Sequence, residues 1–346
     1  MMSVIQEQQM LDALPEAMSN LLQAPVEQFR ASSDQRSDAL VRAAGYTFEV
    51  ELKSTSSPGV LTAWASAFRD LRGAAAEGRV IPLVVVPYMT EAGRKVCEEA
   101  GLSWLDLSGN ARIIAPGLRV IIDGQANRFR GPGRPASLFA PKSARVSRWL
   151  LQNAGRASSQ RQIAHETGMS EGFVSRIVSG LLEESYVHRE ANGGLTVKNL
   201  DVLLDAWRAE YRFDRHSILE GHVGARSGDG LTRFVCDTLR ELDVSHAATG
   251  LSAAWQLTQF ASFRTASIFV KSAPSRAVLE RLGFRQGARG ANTWLVVPDD
   301  EGVFLGAAEQ HGVQCVHPVQ VYLDLKAHHE RSNEAAARVR QQCLQW

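Results

Sequence analysis

The chain has 346 residues and a formal net charge of +1, so any hold on a polyanion must come from local charge, not from the total. That length has room for two or three domains, and 45% apolar content is ordinary for globular cores; no run of about 18 apolar residues is present for a membrane span, and the N-terminus lacks a basic region followed by an apolar stretch, so secretion is not expected. Cys97, Cys236, Cys315 and Cys343 lie far apart with no CxxC pair, which argues against a zinc site or disulfide framework and fits a cytoplasmic protein.

Residues 1–30 read as helical, with Ile5, Met10, Leu11, Leu14, Leu21 and Leu22 as the apolar set. The segment 38–53 reads as two strands joined at Ala44-Gly45, the second alternating from Tyr46 to Lys53. A helix follows from Val60 to Ala76, with Leu61, Trp64, Phe68 and Leu71. Arg79 to Pro87 is a nearly continuous apolar strand of the kind buried on both faces. A helix from Thr90 to Ala100 and strands Ser103–Asp106 and Arg112–Ile122 complete an α/β unit.

Within that unit, Asp38 and the triplet Glu51-Leu-Lys53 resemble the PD-(D/E)xK nuclease superfamily. The resemblance covers residues 1–125 and implies a restriction-endonuclease-like α/β domain. It implies that Asp38 and Glu51 hold Mg²⁺ against a phosphate, while Lys53 orients water or stabilises charge. Glu51 and Lys53 share one strand face because side chains alternate with period two. Glu16 or Glu27 could add a carboxylate. No proline precedes Asp38, and the same triplet suits a solvated strand face. The cluster Leu105-Asp-Leu-Ser-Gly-Asn110 reads as turn chemistry, with Asp106 as a cap; a place for Asp106 and Asn110 in the same pocket is the alternative.

Between Asp123 and Glu166 there is no acidic residue, but there are Arg128, Arg130, Arg134, Lys142, Arg145, Arg148, Arg156 and Arg161. Such a stripe supplies affinity by counterion release. Arg130-Gly-Pro-Gly-Arg-Pro135 resembles an AT-hook core but reads first as a basic Pro/Gly linker over 126–142.

Residues 143–200 read as a winged helix-turn-helix. Ala144–Gln152 is an amphipathic first helix carrying Val146, Trp149 and Leu150. Ser159 caps the second helix and Gly168 ends it. Ser170 caps the third, whose expected buried stripe is Phe173, Ile177, Val178, Leu181 and Leu182. Two β-prone runs around Asn192-Gly193 form a hairpin wing. The residues placed to contact DNA are Ser159, Arg161, Ser170, Glu171, Ser175, Arg176, Ser179, Arg189 and Lys198. Arg128, Arg130, Arg134, Lys142, Arg145 and Arg148 supply the basic approach.

Residues 201–346 read as a second α/β domain. Helical patterns cover Leu200–Trp207, Leu231–Leu242, Ser252–Phe260, Ser275–Leu282 and Ser332–Leu344. Strands are expected at His246–Thr249, Ala266–Val270, Thr293–Val297 and Val313–Val316, with Gly221–Gly230 as a loop. Thr249–Ala254 reads as a turn and helix packed through small residues. Tyr322, Leu323 and Leu325 read as core, with Asp324 and Lys326 outward; His328 and His329 read as solvated helix-end residues.

Three segments, Ala248–Ala254, Gly290–Pro298 and Pro318–Lys326, together with the helix-turn-helix before them, resemble the AbiEi family of type IV toxin–antitoxin antitoxins over about residues 140–346. The resemblance implies a regulator that represses its own operon and opposes a nucleotidyltransferase-like toxin without a stable complex. The expected partner is double-stranded DNA, with a homodimer matching a palindromic site and no membrane role. The expectation is a regulator without cofactor, the alternative being a Mg²⁺-dependent DNA endonuclease targeted by its winged helix.

Overall fold

The computed structural model describes residues 7–31, 37–71, 80–129, 137–191, 193–260, 262–287, 290–327 and 331–346. Among these residues the fold is mixed α/β, with twelve α-helices and three sheets. It divides into two compact units. One comprises residues 1–136, 180–187 and 201–209; the other comprises 137–179, 188–200 and 210–346.

The first unit begins with α1 (Glu7–Leu22) and β1 (Val26–Ala31), followed by β2 (Ala39–Ala43) and β3 (Tyr46–Leu52). Helix α2 (Pro58–Leu71), β4 (Val80–Val86), α3 (Glu91–Glu99), β5 (Ser103–Asp106), β6 (Ala111–Ala115) and β7 (Leu118–Ile122) complete its first 125 residues. The seven strands lie in sequential order. Strands β3, β4 and β5 run parallel, and the other neighbours are antiparallel.

Alternation along β4 divides the core into two layers. Leu83 and Val85 join Met10, Leu14, Val41, Phe48 and Ile113 on one face; Val84 and Val86 join Leu61, Met89, Cys97 and Trp104 on the other. The expected hairpin at Ala44-Gly45 has φ of 51° and 77°, the left-handed pair that a two-residue turn between twisted strands requires. Two expectations are corrected. Residues 26–31 form a strand, not the end of a helix. The single strand expected from Arg112 to Ile122 is two, reversed at Pro116-Gly117, where Gly117 has φ 80° and the Tyr46 hydroxyl donates to the Pro116 carbonyl at 2.6 Å.

The chain continues through α4 (Ala144–Gln152), α5 (Gln160–Thr167), α6 (Glu171–Glu183), β8 (Val187–Arg189), β9 (Leu195–Val197) and α7 (Leu200–Glu210). Next come β10 (Ser217–His222), α8 (Gly228–Glu241), β11 (His246–Thr249), α9 (Gly250–Thr258), β12 (Ala266–Val270) and α10 (Arg276–Arg281). The last elements are β13 (Arg285–Gln286), β14 (Thr293–Val297), β15 (Ala308–Gln310), β16 (Val313–Cys315), α11 (Pro318–Asp324) and α12 (Ser332–Cys343). Their sheet has the order β13-β10-β14-β12-β11-β16-β15. Helices α8 and α9 pack on β11 and β12, and α11 and α12 pack on α9.

Strand β10 enters the region expected to be a loop. Its Gly221 admits no side chain, since a Cβ would lie 2.2 Å from the Phe284 ring. Thr249–Ala254 is the expected turn and small-residue helix start, buried throughout. Asp324, expected outward, is 0% exposed. His328 and His329 lie outside the described residues.

Candidate nucleic-acid interface

Helices α4, α5 and α6 and the β8–β9 hairpin follow one another as their capping residues dictate. Ser159 caps α5, its hydroxyl accepting from the Gln162 amide at 3.1 Å, and Gly168 ends the helix at φ 65°. The Ser170 hydroxyl accepts from the Phe173 amide at 3.4 Å, and Met169 is buried in the turn. In the hairpin, the Glu190 amide donates to the Gly194 carbonyl at 2.8 Å, and Gly193 takes φ 80°. Sequence reasoning missed a further tie: Ser158 and Leu195 exchange backbone hydrogen bonds of 3.0 and 2.8 Å, joining the hairpin to the α4–α5 loop.

The third helix differs from expectation by a small rotation. Val174, not Phe173, is fully buried beside Ile177, Val178 and Leu181. Phe173 is half-buried, with the Lys142 ammonium 5.6 Å and the Arg176 guanidinium 5.4 Å from its ring centre. Ser159, Arg161, Ser170, Glu171, Arg176, Ser179, Arg189, Lys198 and Lys142 are exposed, and Ser175 is half-buried. Arg161 reaches across to Glu171 at 3.7 Å, and its side chain remains 88% exposed. A pair so exposed is worth little to stability, which leaves the guanidinium free to exchange partners. Arg128 is exposed in the other unit. Arg130 and Arg134 lie outside the described residues.

Arg145 and Arg148 do not belong with these cations. Arg145 makes a bidentate pair with Asp300 at 2.7 and 2.8 Å and donates to the Thr167 carbonyl at 3.2 Å. Arg148 is 3% exposed and donates to Gln320 Oε1 at 2.6 Å. One helical turn on, Gln152 donates to the Leu305 carbonyl at 2.7 Å. This face of α4 is therefore a docking face against residues 300–306 and α11, and the expectation that Arg145 and Arg148 grip phosphates is corrected on that ground.

Behind α4 lies a buried polar cluster. Asp324 accepts hydrogen bonds from the Tyr211 hydroxyl, the Thr249 hydroxyl and, at 2.7 Å, the Gln320 amide. Burial pushes its carboxyl up to about 7, against the pull of those donors and of Arg148. This group's contribution to stability is full below the ordinary carboxylate value and is lost as pH rises through about 7. Burial holds His216 and His317 down to about 4, so both are neutral at physiological pH.

In the first unit, Asp38, Glu51 and Lys53 come together. Asp38 Oδ2 accepts from the Leu52 amide at 2.7 Å, and Lys53 Nζ lies 2.6 Å from Glu51 Oε1. Burial raises the Glu51 carboxyl, with Asp38 and Glu7 adding to the rise and Lys53 opposing it. The acid of α1 that influences this pair is thus Glu7, whereas Glu16 is exposed and Glu27 pairs with Arg42 at 3.3 Å. Among the described residues, no three His, Cys, Asp or Glu side chains gather closely enough to share a metal ion. Asp106 and Asn110 are turn residues: Asp106 accepts from the Met89 amide at 3.0 Å and the Asn110 amide at 2.9 Å.

Residues 196–345 match the family described as transcriptional regulator, AbiEi antitoxin, of type IV TA systems. The match begins in β9, so α4–α6 lie outside it. No curated protein and no solved structure matches the chain. Among the described residues, no helix is long and apolar enough to cross a membrane.

Proposed function

We propose that this chain is a sequence-specific double-stranded DNA-binding regulator that represses its own operon as a type IV antitoxin. The observation that carries this reading is the set of exposed cations around α6 in an otherwise nearly neutral chain: Lys142, Arg161, Arg176, Arg189 and Lys198. Helices α4–α6 with the hairpin act as a winged helix-turn-helix, α6 entering the major groove through Glu171, Ser175, Arg176 and Ser179. Ser159, Ser170 and the cations hold sugar-phosphate, with Arg128, Arg130 and Arg134 extending the hold along the duplex. Two copies read two half-sites. The AbiEi-type domain opposes a nucleotidyltransferase-like toxin indirectly, in a cytoplasmic setting. In this reading residues 1–125 form a nuclease-like scaffold, 126–142 a linker, 143–200 the winged helix and 201–346 the antitoxin domain.

Arg176→Ala is expected to weaken operator binding by about 1–3 kcal/mol and relax the base preference at one position, as loss of a bidentate base contact does. Arg161→Ala is expected to weaken operator and random duplex alike and to lower the salt slope by about 1. Gel shifts on the DNA upstream of the gene, repeated across salt concentrations, read both. Equal affinity of the native protein for operator and random duplex would remove the reading.

A second reading rests on the meeting of Asp38, Glu51 and Lys53. As a PD-(D/E)xK-like DNase, the chain would hold Mg²⁺ through Asp38 and Glu51, oxygen ligands suited to that ion, and the ion would supply charge for phosphate displacement. Lys53, held beside Glu51, would orient the attacking water. This reading expects duplex cleavage with Mg²⁺ or Mn²⁺ that disappears in Asp38→Ala; intact DNA after prolonged incubation with either metal contradicts it.

A further inference from the structure

We propose that the open edge of β7 is a self-complementary surface on which two copies of this chain pair, Ile121 meeting Ile121 of the second copy across a two-fold axis and Arg119 meeting Asp123 of the second copy. What the pair does rests on the DNA-binding reading above, which calls for two copies; where the pair forms does not.

Strand β7 is the last of its sheet and pairs with β6 alone. An open strand edge is a template for another strand, and folded chains blunt such edges with charge, bulges or brevity. The other three edges of the two seven-stranded sheets are blunted. Strand β1, at the opposite end of the same sheet, exposes Glu27 and Arg30 and shifts register between Val26 and Gln28. Strands β13 and β15, which end the second sheet, have two and three residues. Strand β7 runs for five residues, Leu118-Arg-Val-Ile-Ile122, without bulge, proline or lysine. Ile121 is 52% exposed, and Ile114 of β6, on the same face, is 45% exposed.

The register with β6 decides which backbone groups face the open edge. The turn at Pro116-Gly117 sets Ala115 opposite Leu118. That is the hydrogen-bonded pair closing a two-residue hairpin, and bonded pairs recur at every second residue from it. Leu118, Val120 and Ile122 therefore turn their N–H and C=O groups to β6, and Arg119 and Ile121 turn theirs to the open edge. Ile114, opposite Arg119, agrees: its amide points away from β7, to the Ser103 hydroxyl of β5 at 3.5 Å. An antiparallel copy whose axis passes through Ile121 makes that residue a hydrogen-bonded pair with itself and sets Arg119 opposite Asp123 at both ends. Moving the axis by one residue either way sets Arg119 or Asp123 opposite Ile121, a charge against an isoleucine.

The charges suit the first of these registers. Arg119 is exposed and has no acidic partner among the described residues. Asp123 follows β7 directly, and its side chain is 64% exposed. Its Oδ1 accepts from the Gly124 amide at 2.6 Å and from the Arg94 guanidinium. Among the described residues its Oδ2 meets no donor, so the carboxylate can accept from a second cation. The Gly124 amide and the Arg94 guanidinium hold its carboxyl below the ordinary value, so it is charged at neutral pH. By alternation Arg119, Ile121 and Asp123 share one face, the face on which Arg94 of α3 reaches Asp123. Paired in this register, each arginine gains an opposite charge, the two Ile121 side chains cover one another, and an isologous contact closes at two copies.

The test is sedimentation of the full chain at about 50 µM, a concentration suited to a small interface. The native protein is expected to be a dimer. Ile121→Lys, Arg119→Asp and Asp123→Arg are each expected to weaken the dimer by at least about tenfold, since each sets like charges or an unpaired charge at the contact. Combining Arg119→Asp with Asp123→Arg is expected to restore it, although the Arg94 pair stays broken; unfolding midpoints confirm that the variants fold. Ile121→Cys is expected to cross-link to itself under oxidation, because the Cα atoms of a bonded pair lie about 5.5 Å apart, within reach of a disulfide. A native monomer, a dimer untouched by Ile121→Lys, or no recovery in the doubly exchanged chain overturns the proposal. A β7-dependent dimer that binds no duplex keeps this surface and removes the DNA-binding reading; a native monomer that selects the upstream DNA does the reverse.

Discussion

Replacing Arg148 with alanine is expected to destabilise the fold by roughly 3–5 kcal/mol, the cost of breaking a buried charged network by deleting one member. The guanidinium is 3% exposed and donates to Gln320, which is itself bonded to the buried Asp324. Without it, the Gln320 carbonyl loses a donor, Asp324 loses the nearby positive charge, and a side-chain-sized void opens behind α4. Denaturant unfolding should show a lower midpoint. The same variant, where folded, should keep the native salt slope of DNA binding, because Arg148 holds no phosphate. Arg161→Ala makes the converse case, with stability within about 0.5 kcal/mol of native and a slope lower by about 1. An Arg148→Ala protein of native stability and reduced slope would return that arginine to the DNA surface.

Gly302→Ala is expected to cost about 3 kcal/mol, the upper part of the range for overpacking. A Cβ at this position would lie 2.5 Å from Asp300 Oδ1, 2.7 Å from Arg145 Cγ and 2.9 Å from Arg148 Nη1. None of the three is a free end: Asp300 caps the Gly302 amide at 2.7 Å while it pairs with Arg145, and Arg148 is held by Gln320. The added methyl must displace the α4 docking face as a whole. Unfolding should show the loss, and α4 should exchange faster in the variant. A Gly302→Ala chain as stable as the native one would mean that the docking of α4 contributes little.

What could be read from the residues was local. Ser159, Gly168 and Ser170 act through their own backbone neighbours, so the helices they bound were predictable without knowledge of anything distant. Ala44-Gly45 announced its hairpin, and the apolar run of β4 announced burial on both faces. One failure was local, the Pro116-Gly117 turn that splits the strand expected from Arg112 to Ile122; the others named here are non-local. Strand β1 is exposed at five of its six residues, so it carries no alternation to read. Gly221 looked like a loop residue because the Phe284 ring that excludes a side chain there lies 63 residues further on, the difference between the two positions. Arg145, Arg148 and Asp324 looked like surface charges, since side chains remote in sequence, Asp300, Gln320, Tyr211 and Thr249, are what bury them.

The cluster of Asp38, Glu51 and Lys53 shows the same limit from the other side. Asp38, Glu51 and Lys53 meet as their spacing suggested, because β2 and β3 are joined by a short turn. A third acid depends on α1 and could not be assigned by spacing: Glu16 and Glu27 were named, and Glu7 is the one whose charge reaches Glu51. Assembly of a pair of carboxylates with a lysine is a property of the scaffold, and it does not certify chemistry.

The measurement that bears most directly on the central claim is competition between the upstream DNA and a scrambled duplex for the full-length protein, across roughly 50–200 mM salt. Affinity for both duplexes is expected to fall steeply with salt, with a preference for the upstream site that persists in the native protein and disappears in Arg176→Ala. Affinity that is the same for the two duplexes at every salt concentration, or that is indifferent to salt, would contradict it.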